Sequence, residues 1–192
     1  MKILIVVATK TEIEQERFAN CDILITGVGM LNTAICLTQK LSDSDYDLLI
    51  NMGVAGTFNS KLKIGDVVEV IEDAISELGY EDTDGFSVFT ELNLKSTFTN
   101  RPRTQLLKVK SITVNTVHGN EKSISTIVKR LSPDIENMEG AVAFQLCERF
   151  NVPCMQIRSI SNKIEQRNKN NWDLPLAIKN LNKEVEKIIA KL

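Results

Sequence analysis

The 192-residue chain holds one histidine, one tryptophan, two tyrosines and four prolines, and it lacks a long apolar run. Its start, Met1-Lys2-Ile3-Leu4-Ile5-Val6-Val7-Ala8, has one charge and then six apolar residues. A spanning helix needs about 20, and the layout is not that of a secretory signal, so a buried strand is expected here. With His118 alone and no paired ligand spacing, a zinc site has little support, and neither metal nor cofactor is expected. Cys21, Cys36, Cys147 and Cys154 show no Cys-x-x-Cys spacing, and three of them lie inside apolar runs. They read as small core residues of a cytoplasmic protein, where thiols stay reduced, rather than as a disulfide framework. Basic runs are missing too, and the net charge is -2. This argues against a nucleic-acid or membrane-surface footprint and leaves small molecules as the expected partners.

What is present points to one α/β domain over residues 1–192. Hydrophobic residues make up 43% of the chain, enough for a sizeable core, and no Pro/Gly/Ser-rich stretch marks a boundary. Apolar β-branched runs recur at Ile3 to Val7, Ile23 to Thr26, Leu48 to Asn51, Val67 to Ile71, Ile112 to Val114 and Met155 to Ile160. Helical patterns separate several of them, which predicts a three-layer α/β/α sandwich around a mixed, largely parallel sheet. The clearest helix is the last: Leu174, Ile178, Leu181, Val185, Ile188, Ile189 and Leu192 step by three or four residues, after Asp173 as N-cap and with Pro175 in the first turn. The polar stretch from Glu72 to Arg103 shows no sustained period and reads as a loop with short elements.

Two polar residues close two apolar runs. Glu139 sits in Asn137-Met138-Glu139-Gly140, and Asn162 ends Arg158-Ser159-Ile160-Ser161-Asn162. The helical stretch between them, Gly140 to Asn151, suggests neighbouring strands joined by a crossover helix, with their ends on the edge where open α/β folds bind ligands. A carboxylate there offers two acceptors to a pair of hydroxyls, and a carboxamide offers a donor and an acceptor to a heterocycle. Without a ligand, Glu139 would still suit a helix N-terminus, and Asn162 a turn. Glu12, shortly after the first strand, reads as a carboxylate able to activate water or as a solvated helix-start glutamate, with Glu14 and Glu16 as neighbours in competition. Thr26-Gly27-Val28-Gly29-Met30-Leu31-Asn32 has the shape of a phosphate-cradling turn but carries Asn32 in place of the third glycine of a dinucleotide fingerprint. Gly53 and Gly56, in Asn51-Met52-Gly53-Val54-Ala55-Gly56, would let a ligand approach the backbone.

Met138-Glu139-Gly140-Ala141, Asn151-Val152-Pro153 and Arg158-Ser159-Ile160-Ser161-Asn162 resemble the C-terminal signature of the purine nucleoside phosphorylase and nucleosidase superfamily. Ser76-Glu77-Leu78-Gly79 with Asp84-Gly85-Phe86, Thr113-Val114-Asn115-Thr116-Val117, and Asn162 to Asn168 ahead of Trp172 are similar to one branch, the futalosine hydrolases of an alternative menaquinone route. The resemblance implies an N-ribosyl hydrolase acting on a purine nucleoside, without cofactor or metal, as a homodimer whose partner chain completes the site. Glu12 and Asn162 would be the catalytic residues: Glu12 activates water, and Asn162 holds the purine and the leaving-group proton. Glu139 would clamp the ribose, Met138 pack on the sugar, and Gly29, Gly53 and Gly56 line the substrate. The adenine-specific nucleosidases have aspartate at the position of Asn162, so the amide implies a 6-oxopurine leaving group. Met52 stands where the hexameric phosphorylases place a phosphate-binding arginine, which favours water as nucleophile. Trp172 and Phe86 are candidates for stacking, and Arg101, Arg103, Arg158 and Arg167 for a substrate carboxylate. The alternatives are a nucleosidase for methylthioadenosine, S-adenosylhomocysteine or aminofutalosine, and a non-catalytic purine-nucleoside-binding protein.

Overall fold

The computed structural model describes residues 1–83, 85–89, 92 and 94–192. Asp84, which contributes to one of the sequence resemblances, lies outside the described residues. The large sheet comprises β1 (Ile3–Val7), β2 (Asp22–Ile25), β3 (Leu48–Thr57), β4 (Val67–Ile75), β7 (Thr97–Thr99), β8 (Leu107–Thr113), β9 (Ile135–Asn137) and β10 (Cys154–Lys163). β5 (Tyr80–Asp82) and β6 (Gly85–Ser87) form a separate antiparallel hairpin. Four helices accompany them: α1 (Met30–Asp43), α2 (Glu121–Leu131), α3 (Gly140–Phe150) and α4 (Leu174–Ile189).

β1 is apolar on every residue because both its faces are covered, as in a parallel sheet between helix layers. Leu4 and Val6 join Leu37 and Leu41 of α1 and Ala141 to Phe144 of α3 in one core cluster. Ile3, Ile5 and Val7 face the other way, onto Leu181 and Val185 of α4. The strand thus supplies alternate residues to two cores, which gives the expected three layers. α4 begins where the sequence places it: Asp173 accepts the Leu176 N–H at 2.9 Å, and proline occupies the first turn. α3 ends on Asn151 in the left-handed conformation, two residues before Pro153.

The sheet runs β10-β4-β8-β9-β3-β1-β2, with an added β10–β3 pairing that closes β3, β10, β4, β8 and β9 into a ring. β10 runs parallel to β3, while β9 pairs antiparallel with the tip of β3 through Gly56↔Glu136 and Thr57↔Ile135. This corrects the expectation of neighbouring strands around α3. β3 lies between β9 and β10, and its ten residues are long enough to hold β10 along its length and three-residue β9 at its tip. Glu139 and Asn162 still reach one place: β9 starts beside the tip of β3 and runs back along it, and the residues that follow it line the same cavity as Gly56 and Asn162. The reading of Glu72 onward as loop is corrected too: β4 continues through Glu72 and Asp73 to Ile75 and pairs with β7 and β8.

Candidate active site

A cavity of about 300 Å³ opens at the tips of β3 and β10. Glu12, Met138, Glu139, Gly56 and Asn162 all line it, so the structure brings together residues that the sequence spreads over 150 positions. Glu14 and Glu16 do not line it. The Glu14 carboxylate pairs with Arg17, and Glu16 is exposed.

Glu12 lies on a short 3-10 turn (Lys10–Glu12) whose N-cap is Thr9. Its Oε2 accepts the Thr9 N–H at 2.9 Å and the Thr9 hydroxyl at 3.0 Å, and its Oε1 accepts the Val54 N–H at 3.2 Å. Both oxygens are therefore oriented by the backbone, and Asn182 of α4 donates to the Glu12 carbonyl at 2.9 Å from below. Such anchoring fixes where a water could be accepted.

Glu139 is the N-cap residue of α3 and is 8% exposed. Its Oε1 accepts the Gly29 N–H at 3.0 Å, and its Oε2 the Met138 N–H at 3.3 Å. Burial raises its pKa above the ordinary carboxylate value; Arg158 and the Gly29 N–H pull the other way, and Glu12 adds to the rise. Gly29 has φ 96°, a region that residues with a Cβ rarely adopt. The turn thus presents an N–H to the carboxylate, and the part of Gly29 is to hold Glu139 rather than to line the cavity.

Arg158 is 1% exposed and lies beneath the two acids. Its Nη2 donates to Asn51 Oδ1 at 2.6 Å and to Asn137 Oδ1 at 3.2 Å. Asn137 Oδ1 also accepts the Glu139 and Gly140 N–H groups, and its Nδ2 donates to Asp73 Oδ2 and Ser111 Oγ at 2.8 Å. Asp73 is wholly buried; Gln156, Thr113 and Asn137 donate to it, yet burial dominates and raises its pKa. A charged and amide network therefore fills the ring behind the cavity. It also explains Gly53, which does not line the cavity: a Cβ there would lie 2.5 Å from Arg158 Nη1 and 3.0 Å from Glu12 Oε1. Gly53 makes room for the guanidinium and the carboxylate.

At the other end of the cavity, Asn162 Oδ1 accepts the Ser161 hydroxyl at 2.8 Å, and its Nδ2 donates to the Lys163 carbonyl at 3.1 Å. Gly56, opposite Asn162 in the β3–β10 pairing, does line the cavity, and a Cβ there would press on Asn162 Nδ2 and Ile164. Trp172 lines the cavity, with the Arg167 guanidinium 5.3 Å from its ring centroid. Phe86 is elsewhere, on the β5–β6 hairpin, with Arg130 stacked on it at 3.8 Å. Of the four candidate arginines only Arg167 lines the cavity, since Arg158 is enclosed in the ring and Arg101 and Arg103 precede β8. Sequence reasoning missed Asn137, Asp73 and the Glu136–His118 pair. An arginine inside the apolar run of β10 was the one available signal of the buried network. Among the described residues no group of three or more His, Cys, Asp or Glu is placed to hold a metal ion, and no helix is long and apolar enough to cross a membrane.

A family model described as the phosphorylase superfamily matches residues 19–192. Among curated proteins, the futalosine hydrolase of Streptomyces coelicolor is 29% identical, over 89% of this chain and 79% of its own length. The 5'-methylthioadenosine/S-adenosylhomocysteine nucleosidase of a Marinomonas strain is 24% identical, over 84% of this chain and 81% of its own. Among solved structures, futalosine hydrolase of Helicobacter pylori superposes with a TM-score of 0.86 at 18% identity, covering 100% of this chain and 98% of that one.

Proposed function

The chain belongs to the phosphorylase superfamily, and on that premise we propose that it is an N-ribosyl hydrolase of 6-oxopurine nucleosides, with futalosine as substrate and hypoxanthine and dehypoxanthinylfutalosine as products. The observation that carries this reading is the joint placement of Glu12, Glu139 and Asn162 on one cavity, with a carboxamide at the end where the base would sit. Relatives named for both substrate classes match at comparable identity, so the choice between them rests on the site itself.

In this reading water attacks the anomeric carbon while Glu12 accepts its proton. The bond from carbon to the purine nitrogen breaks, and its electron pair leaves with the base. The purine takes up one proton from solvent at its imidazole ring, where Asn162 Oδ1 accepts the resulting N–H, and Glu12 later returns its own proton to solvent. Glu139 accepts from the ribose hydroxyls, and its negative charge favours the oxocarbenium character that develops on the sugar. Asn162 Nδ2 donates to the purine carbonyl. Arg167 over Trp172 supports recognition of an aromatic carboxylate on the sugar, such as the carboxyphenyl ketone of futalosine. With this substrate the enzyme would serve menaquinone biosynthesis by the futalosine route in the cytoplasm.

Val28, which lines the cavity, is followed on α1 by exposed Leu31 and Ile35. This apolar strip beside the mouth supports a homodimer in which a second copy covers the site, testable by light scattering.

The deciding experiment is product analysis with futalosine, methylthioadenosine and inosine, each with and without inorganic phosphate. Free hypoxanthine and an unphosphorylated sugar product from futalosine, at a rate independent of phosphate, are expected. A sugar phosphate product would refute hydrolysis. Preferred cleavage of methylthioadenosine would favour the adenine-nucleoside reading, and no turnover at all the binding-protein reading.

A further inference from the structure

His118, the single histidine of the chain, stands on the cavity wall in the loop after β8. Glu136 of β9 is 4% exposed, and both its oxygens are committed to this one residue: Oε1 accepts the His118 backbone N–H at 3.0 Å, and Oε2 meets Nδ1 at 2.6 Å. The ring packs edge-on against Phe58 at 6.0 Å between centroids. Nε2 has no protein partner among the described residues. A nearly buried carboxylate spent on orienting one imidazole is hard to explain as packing, because burying a charge costs free energy that an apolar residue would avoid. It also fixes the tautomer. With Nδ1–H donating its hydrogen bond to the carboxylate, Nε2 of the neutral ring is an acceptor.

The sheet register relates this pair to Asn162. Asn162 is opposite Gly56, and Gly56 is opposite Glu136. The amide and the His118–Glu136 pair therefore stand two strand spacings apart, roughly 10 Å between backbones, on the wall of one cavity. If Asn162 meets the imidazole-ring nitrogen and the carbonyl of a 6-oxopurine, the next polar group round the ring is the N1–H, a donor. An adenine has a bare acceptor at N1.

We infer that His118 is a second specificity-determining residue: held by Glu136, its Nε2 accepts the N1–H of a 6-oxopurine, so that the amide and the imidazole read adjacent groups of one ring. The inference rests on the purine-nucleoside reading above but not on turnover. Glu136 acts as a positioning residue through the ring.

The test crosses two residues with two ring types. For the wild type and His118→Phe, which keeps an aromatic ring and loses the acceptor, kcat/KM is measured with futalosine and aminofutalosine, and the affinities of free hypoxanthine and adenine by calorimetry. The variant should lose about tenfold to a hundredfold on the 6-oxo substrate and on hypoxanthine, with less than about a threefold change on the 6-amino pair. Glu136→Gln should narrow the same preference in both assays, because an amide can donate to Nδ1 and so turn Nε2 into a donor, while thermal melting checks that each variant is folded. Equal losses on both rings, no loss on either, or a loss confined to the amino ring would overturn the assignment, as would failure of hypoxanthine to bind the wild type. If no nucleoside is cleaved but the hypoxanthine difference persists, the hydrolase reading fails and the role of His118 stands.

Discussion

The Glu139 carboxylate accepts the backbone N–H of Gly29 at 3.0 Å, across 110 positions of the chain. One oxygen of the proposed ribose clamp is thus located by a turn that needs glycine: φ is 96° and ψ 163° at residue 29. A Cβ there would meet nothing within 4 Å, so the cost of Gly29→Ala is conformational and not steric. Backbone in this region costs about 1–3 kcal/mol for a residue other than glycine. Gly29→Ala is expected to lower Tm by several degrees and to raise KM for a ribosyl substrate more than it lowers kcat. A raised kcat with unchanged KM would show that the turn does not hold the clamp.

Glu12→Gln should reduce kcat by about a hundredfold to ten-thousandfold, the usual worth of a positioned base, with KM within a few-fold of wild type. The replacement has a structural cost as well. Both Glu12 oxygens accept a backbone N–H, so the amide nitrogen of glutamine must face either Thr9 or Val54 as donor against donor. A conflict of this kind costs on the order of 1–3 kcal/mol, and differential scanning fluorimetry should register it as a lower Tm. Turnover near that of wild type would move the base elsewhere.

The candidate acids and the parts of the fold were legible for different reasons. Glu12 and Glu139 sit beside apolar runs that mark strand ends, and β1 and α4 follow from unbroken apolar content and a clean helical step. β9 was not legible as an antiparallel strand, because three residues have no period and its pairing to β3 joins positions far apart in sequence. The end of β4 was hidden by Glu72 and Asp73, which read as loop. The Asp73 carboxylate is tolerated in a strand only because Thr113, Asn137 and Gln156 converge on it. Gly53 shows the same limit in the site: its motif was visible, but the side chain it makes room for, Arg158, lies 105 residues on and became apparent only through the fold.

Burial raises the folded-state pKa of Asp73 above its unfolded value. The native state then binds more protons than the unfolded chain between those two values, so this contribution to stability is full below the ordinary aspartate range and is lost as pH rises through the folded value. Asp73→Asn removes the titration. Urea denaturation from acidic to neutral pH should show the wild-type advantage over the variant shrinking as pH rises. An advantage that grows with pH would mean that Arg158 and the amide donors outweigh burial.

Arg167 is mostly exposed and stacked over Trp172, so its charge is partly screened. Arg167→Gln should raise KM for futalosine roughly five- to tenfold, the scale of a surface charge-assisted bond, and leave inosine, which has no carboxylate, unchanged. Equal effects on both substrates would place the carboxylate elsewhere, with Lys163 at the same cavity as the next candidate.

Asn162 carries the sharpest consequence, because its surroundings already dictate how an aspartate would behave there. Ser161 donates its hydroxyl to Oδ1, and Nδ2 faces the Lys163 carbonyl at 3.1 Å. In Asn162→Asp an oxygen would replace that nitrogen against the carbonyl, and two acceptors would repel unless one held a proton. With the carboxyl protonated and turned away from that carbonyl, its one hydroxyl can donate to a purine ring nitrogen while its other oxygen accepts from an exocyclic amino group. That pattern suits an adenine ring and leaves the carbonyl of a 6-oxopurine without its donor. The unpaired group costs on the order of 1–3 kcal/mol, about tenfold to a hundredfold in relative rate. Wild-type protein should prefer futalosine to aminofutalosine in kcat/KM, and Asn162→Asp should shift the ratio toward the amino compound by that factor, with lower overall activity. Because the proton on the aspartate is required, the variant's activity on aminofutalosine should also fall as pH rises through its titration, a limb that the wild-type amide cannot produce. An unchanged substrate ratio in the variant would mean that residue 162 does not read the purine, and the choice of a 6-oxo ring over adenine would lose its main support.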